Sequence, residues 1–191
     1  MRTQLSRPTR LFVACSIVLL VVYSLAGAPA AATVGDASGE PSEAFQVTVA
    51  ADGDAEVLIR LTFDLSDNSE QAAFEELQAD TAAKERLRDR FESRMAGIAD
   101  DSAATADREM RVENATADLD RVDDTGVATL SVTWRNLATV EDDELVVTEP
   151  FASGFQPSQR FVLVGPSEYT VDSVMPTPDT QDGTTLTWQA E

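Results

Sequence analysis

An α+β domain is the fold class this sequence predicts: mainly antiparallel β-sheet, or a loose sandwich, with one long amphipathic helix packed on it and an apolar helix ahead of it at the N-terminus. Three observations predict it. Short apolar runs of period two recur between turn residues, one long stretch places its apolar residues at a period of 3.6, and a single unbroken apolar run lies near the start of the chain.

In order along the chain, Arg2, Arg7 and Arg10 form a positive region before the apolar run Leu11–Leu25, and Ala28-Pro29-Ala30-Ala31-Ala32 follows with small side chains. That is the pattern of a secretion signal, cut after Ala32. The run falls short of the roughly 20 residues that a membrane span needs, so a retained N-terminal membrane anchor is the alternative reading. In either case the arginines stay on the cytoplasmic side and the rest of the chain lies outside. Residues 1–32 are therefore read as signal or anchor, 33–42 as a flexible acidic tether, and 43–191 as one extracellular domain.

Within that domain, Phe45, Val47 and Val49 alternate, Asp52-Gly53-Asp54 makes a turn, and Val57, Ile59, Leu61 and Phe63 alternate again, which predicts a β-hairpin. Asp67 and Ser69 offer N-caps for the helix, along which Phe74, Leu77, Leu87, Phe91, Met95 and Ile98 share one side. Gly97 and Asp100-Asp101 are expected to end or bend it. Met110–Glu113 and Val127–Trp134, joined by Asp123-Asp124-Thr125-Gly126, predict a second pair of strands. Leu145–Thr148, Phe161–Val164, Tyr169–Val174 and Thr184–Trp188 add further strands between Gly, Pro and acidic punctuation.

Composition narrows the function classes. The chain has 191 residues, 34 Asp and Glu against 14 Lys and Arg, and a net charge of −20, with Lys84 its one lysine. Apolar residues at strand and helix periods argue for a folded core in spite of the charge. A carboxylate surface nearly free of lysine suits molar salt, where screening over about 3 Å removes the self-repulsion. The source is thus read as a halophile. Nothing in the sequence resembles a basic groove for phosphates, so no nucleic-acid partner is expected.

The single cysteine, Cys15, lies inside the N-terminal apolar run, and there is no histidine. Disulfides, Cys or His nucleophiles, Ser-His-Asp triads and ordinary zinc sites are thereby excluded from the domain. Acidic clusters at Asp52/Asp54, Asp100/Asp101, Asp123/Asp124 and Asp142/Asp143/Glu144 sit where turns already favour Asp, and none has the spacing of a calcium loop. No catalytic residue, metal ligand or cofactor is assigned. Asn114-Ala115-Thr116 is an N-glycosylation sequon, with Asn114 as the acceptor if exposed near a strand end.

Arg108-Glu109-Met110-Arg111-Val112-Glu113-Asn114, Asp124-Thr125-Gly126-Val127, Thr133-Trp134-Arg135-Asn136-Leu137-Ala138, Phe151, Pro166-Ser167-Glu168-Tyr169 with Val174-Met175-Pro176-Thr177-Pro178, and Leu186-Thr187-Trp188 together resemble an uncharacterised extracytoplasmic domain family, a domain of unknown function, of haloarchaeal membrane proteins. The resemblance runs from about Phe45 to the end. It implies a domain outside the cell and brings no catalytic signature. Relatives of that kind often continue into a second apolar span, which this sequence lacks before Glu191, so signal transmission by this chain alone is not expected.

Two functions follow as expectations. The first is a non-catalytic exported cell-surface module, binding, sensory or part of the envelope, that meets a protein partner through a sheet edge or acidic face; the final strand is the edge expected to lack a neighbour. The second is a secreted carboxylate-dependent hydrolase acting on envelope polysaccharide.

Overall fold

The computed structural model describes residues 3–6, 11–14, 43–142, 144–151 and 159–190. Its elements run β1 (Thr3–Ser6), β2 (Leu11–Ala14), β3 (Ala44–Val49), β4 (Ala55–Asp64), α1 (Asn68–Ala79), α2 (Thr81–Ala106), β5 (Arg111–Val122), β6 (Thr125–Arg135), β7 (Ala138–Glu141), β8 (Glu144–Val147), β9 (Phe161–Val164), β10 (Thr170–Val171), β11 (Ser173–Met175), β12 (Thr180–Asp182) and β13 (Thr185–Trp188). The fold is α+β. A seven-stranded sheet has the order β12-β13-β9-β3-β4-β6-β5. Its pairs are antiparallel except for β3 and β9, which makes the sheet mixed. A second sheet gathers β10, β1, β2, β8 and β7, with β11 beside β2.

The predicted hairpins form because their alternation puts one buried side chain opposite another. Val47, Val57 and Val132 stand in one register row, and Val49, Ala55 and Trp134 in the next, all buried. The intervening residues Thr48, Glu56 and Thr133 face the other way and stay partly or fully exposed. Over the buried face, α2 lays Leu87, Phe91, Met95 and Ile98, and β8 adds Leu145 and Val147, in one continuous core. Phe161 anchors the far half, its ring centroid 5.5 Å from Phe45, 5.3 Å from Phe151 and 5.4 Å from Trp188.

Four expectations are corrected. The single long helix is two, because Asp80 leaves the helical region (φ −105°, ψ 98°), closes α1 and accepts the Ala82 N–H to cap α2. An aspartate at such a position satisfies an amide that the helix start would otherwise leave bare. The helix also runs straight through Gly97 and Asp100-Asp101 to Ala106, ending at Asp107 in the left-handed region. A mid-helix glycine costs about 1 kcal/mol, which the burial of Ile98 and Ala99 beside it offsets. The final strand β13 is not an edge, since β9 and β12 flank it. Three short strands, β1, β7 and β12, were not expected at all.

The N-terminal helix expected from Leu11 onward falls mostly outside the described residues, as does the cleavage point after Ala32; the part that is described, Leu11–Ala14, is strand. Among the described residues no helix is long and apolar enough to cross a membrane.

Candidate functional site

Two of the motif segments that carry the family resemblance, Arg108–Asn114 and Thr133–Ala138, meet in space. Val112 pairs with Trp134 and Glu113 with Thr133 in the β5–β6 ladder. Arg108, at the end of α2, donates to the backbone oxygens of Asn136 and Leu137 and to the Thr139 hydroxyl. Asn136 returns the contact, its amide nitrogen 3.1 Å from the Glu109 oxygen. Asp54, from the β3–β4 turn, pairs with Arg135 and accepts the Asn136 N–H at 2.9 Å, while Glu113 takes the other side of the Arg135 guanidinium.

This constellation is a latch. It ties the β3–β4 turn, the helix exit and the β6–β7 corner together, with Arg135 spent on Asp54 and Glu113 and Arg108 on backbone oxygens and the Thr139 hydroxyl. Burial alone would push the Asp54 carboxyl up; the Asn136 N–H and the Arg135 guanidinium outweigh it and hold the group below the usual carboxylate range. Burial depresses Arg108, which nonetheless keeps its donors satisfied by carbonyls. Beside it, where α2 hands over to β5, a concave surface of about 600 Å³ is lined by Ala103, Ala104 and residues 107–111.

The acidic clusters do not converge. The Asp52 carboxylate accepts the Asp54 N–H within the turn, Asp123 and Asp142 supply the positive φ of two hairpin corners, and Asp100 and Asp101 lie within α2; Asp143 is outside the described residues. Among the described residues no three carboxylates gather as a metal site. Trp134 and Trp188 are buried, so neither offers a stacking platform.

Asn114 lies on β5, one of the two edge strands of the seven-stranded sheet. The ladder slips between Glu113 and Thr116, so Asn114 is at a β-bulge, and its φ of 56° is one that asparagine tolerates better than most residues. It is exposed, and its side-chain nitrogen makes only a long 3.4 Å contact to the Thr133 hydroxyl. Thr116, also exposed, shares a hydrogen bond of 2.9 Å with Ser131. Beyond the bulge, exposed Asp118, Asp120 and Arg121 charge the strand, a combination that discourages strand addition.

One surface was missed by the sequence reading. Arg86, Arg90 and Arg94 recur every four residues on α2, all exposed, which aligns three cations along one flank of the helix. Arg86 reaches the Asp80 carboxylate at 3.3 Å and Arg90 the Arg86 carbonyl at 3.2 Å. The signal was present in the sequence: with Lys84 and Arg88, the segment from 84 to 94 holds much of the basic charge of an otherwise acidic domain.

No curated protein matches this chain, and no solved structure does either. A family model matches residues 46–169, from β3 through Tyr169, and takes in both halves of the latch, the Asn114 bulge and the arginine stripe. That match spans more than half of the chain, and the protein belongs to the DUF7345 family, a domain of unknown function.

Proposed function

We propose that this chain is a non-catalytic, exported cell-surface domain of a halophilic archaeon that binds an acidic protein partner through the arginine stripe of α2. The observation that carries this reading is the stripe itself. Like charges four residues apart cost a helix about 0.2–0.5 kcal/mol per pair, and here two such pairs stand in succession on an exposed flank. In an acid-rich proteome the neighbours of this protein are acidic too, so a basic stripe is where two such surfaces attract. At molar salt only direct contacts survive screening, and the guanidinium fork is the side chain best suited to carboxylates at contact range.

The test places an amine on the stripe itself by Arg90→Lys, in a chain whose one lysine is removed by Lys84→Gln, since helix residues two apart face different sides. Carbodiimide coupling of amines to carboxylates on intact cells is expected to give an intermolecular adduct at position 90. The adduct should vanish when Arg86→Gln and Arg94→Gln are added. An adduct of equal yield with those two changes, or none without them, overturns the reading.

One observation favours the hydrolase. Burial raises the carboxyls of Glu43 and Glu149 above the usual range, as a general acid requires. Loss of envelope polysaccharide turnover in a folded Glu43→Gln or Glu149→Gln protein would decide for it.

A further inference from the structure

We infer that Asn114 is a site of N-linked glycosylation whose sugar stands over the open β5 edge. The inference rests on the exported reading above, because the sugar donor is met outside the cytoplasm. Four features of the fold point to it. The sequon Asn114-Ala115-Thr116 falls on a bulge, where Asn114 and Ala115 together stand against the single residue Val132 of β6. The left-handed backbone at Asn114 turns that residue out of the ladder. Both Asn114 and Thr116 are exposed, and Ala115 between them packs inward on the core, which leaves acceptor and hydroxyl together on the solvent side. The Asn114 amide nitrogen gives up only a 3.4 Å contact to Thr133 when it reacts, at the weak limit of hydrogen bonding.

The reaction is a group transfer. The Asn114 side-chain nitrogen attacks the anomeric carbon of a lipid-phosphate-linked oligosaccharide; the new N–C bond forms as the C–O bond to phosphate breaks, the lipid phosphate leaves with the electron pair, and the amide proton passes to the transferase. Attached there, the sugar projects past the free backbone of β5. It adds bulk to an edge that already carries a bulge and the charges of Asp118, Asp120 and Arg121, and so shields it from strand addition. On this arrangement a partner is left the helical side of the domain.

The experiment is peptide mapping and intact mass of the full chain made in its own host, with cell interior, membrane and medium separated. Extra mass on the peptide holding Asn114 is expected in the extracellular chain. It should be absent from Asn114→Asp, which keeps a residue tolerant of positive φ, and from Thr116→Val, which leaves the acceptor in place. Thr116→Ser, which preserves the sequon, should retain it. An extracellular chain with a bare Asn114 overturns the glycosylation and leaves the export reading standing. A chain confined to the cell interior overturns both, and extra mass that persists in Asn114→Asp assigns the modification elsewhere and overturns this site.

Discussion

Replacing Gly126 by alanine probes how α1 is seated. Gly126 is a strand residue of β6 opposite Phe63, and a Cβ built on it would stand 2.8 Å from Cδ2 and 2.9 Å from two more atoms of the Phe74 ring. Phe74 is fully buried and lies 5.4 Å, centroid to centroid, from Phe63, so the ring has no free direction in which to move. At an ordinary backbone position Gly→Ala stabilises by about 0.4–1 kcal/mol through the unfolded chain. Here the overlap should reverse that sign and cost about 1–3 kcal/mol, the range of overpacked cores. Urea unfolding in molar salt reads it as a midpoint lower by about 1 M. A second variant separates the clash from other causes: Phe74→Leu alone should cost roughly 1–2 kcal/mol, and the double variant should be more stable than the sum of the two by about 1 kcal/mol. A stabilised Gly126→Ala, or strict additivity in the cycle, would refute the packing argument.

Three further variants probe the β3–β4 turn and Glu43. Gly53 has φ +88°, a Cβ there would meet the Ala138 carbonyl oxygen at 2.6 Å, and the Ala138 N–H bonds the Gly53 oxygen; Gly53→Ala should therefore cost about 2–4 kcal/mol, and a melting temperature equal to wild type would contradict it. The Asp54 carboxyl is depressed in the fold, so its stabilisation is present above the unfolded value of about 4 and is lost as pH falls through the folded value. Glu43, raised first by burial and then by Glu70, acts with the opposite sign: its contribution is full below its unfolded value and is lost as pH rises through the folded one. Asp54→Asn should flatten the acid limb of a stability profile and Glu43→Gln should raise stability at neutral pH; parallel curves for wild type and variants would show that neither group is linked to folding.

Much of the main sheet was legible because its signals are local. Alternation along β3, β4 and β6 and the turn residues between them report burial and chain reversal without any knowledge of partners. The helix was legible as a stripe but not as two pieces, since Phe74, Leu77 and Leu87 stay on one side across Asp80 and the break is made by a cap within an acidic run. Gly126 misled in a different way. Its place after Asp123-Asp124-Thr125 suggested a turn glycine, yet the corner is made at Asp123, with φ 50°, and the glycine serves the approach of a ring 52 positions earlier in the chain, as the numbering of Phe74 shows. No local pattern encodes that. The pairing of β3 with β9, the one parallel contact in the main sheet, is non-local in the same sense.

The roles of the other arginines bear on the stripe. Arg108 and Arg135 hold the latch, Arg111 lies 3.9 Å from Glu113, and Arg121 reaches Glu75 from β5 across to α1 at 4.0 Å. Each of these joins separate elements or neighbouring strand positions: Arg108 serves carbonyls and a hydroxyl, and Arg111, Arg121 and Arg135 serve carboxylates of the same chain. The stripe differs. Among the described residues, Arg86 and Arg90 contact their own helix and its cap, where exposed pairs contribute at most about 1 kcal/mol, and lysine or glutamine would serve a helix surface as well. Arg86 and Arg90 at that spacing add little to folding, and that is the ground on which the proposed contact with a partner's carboxylates rests.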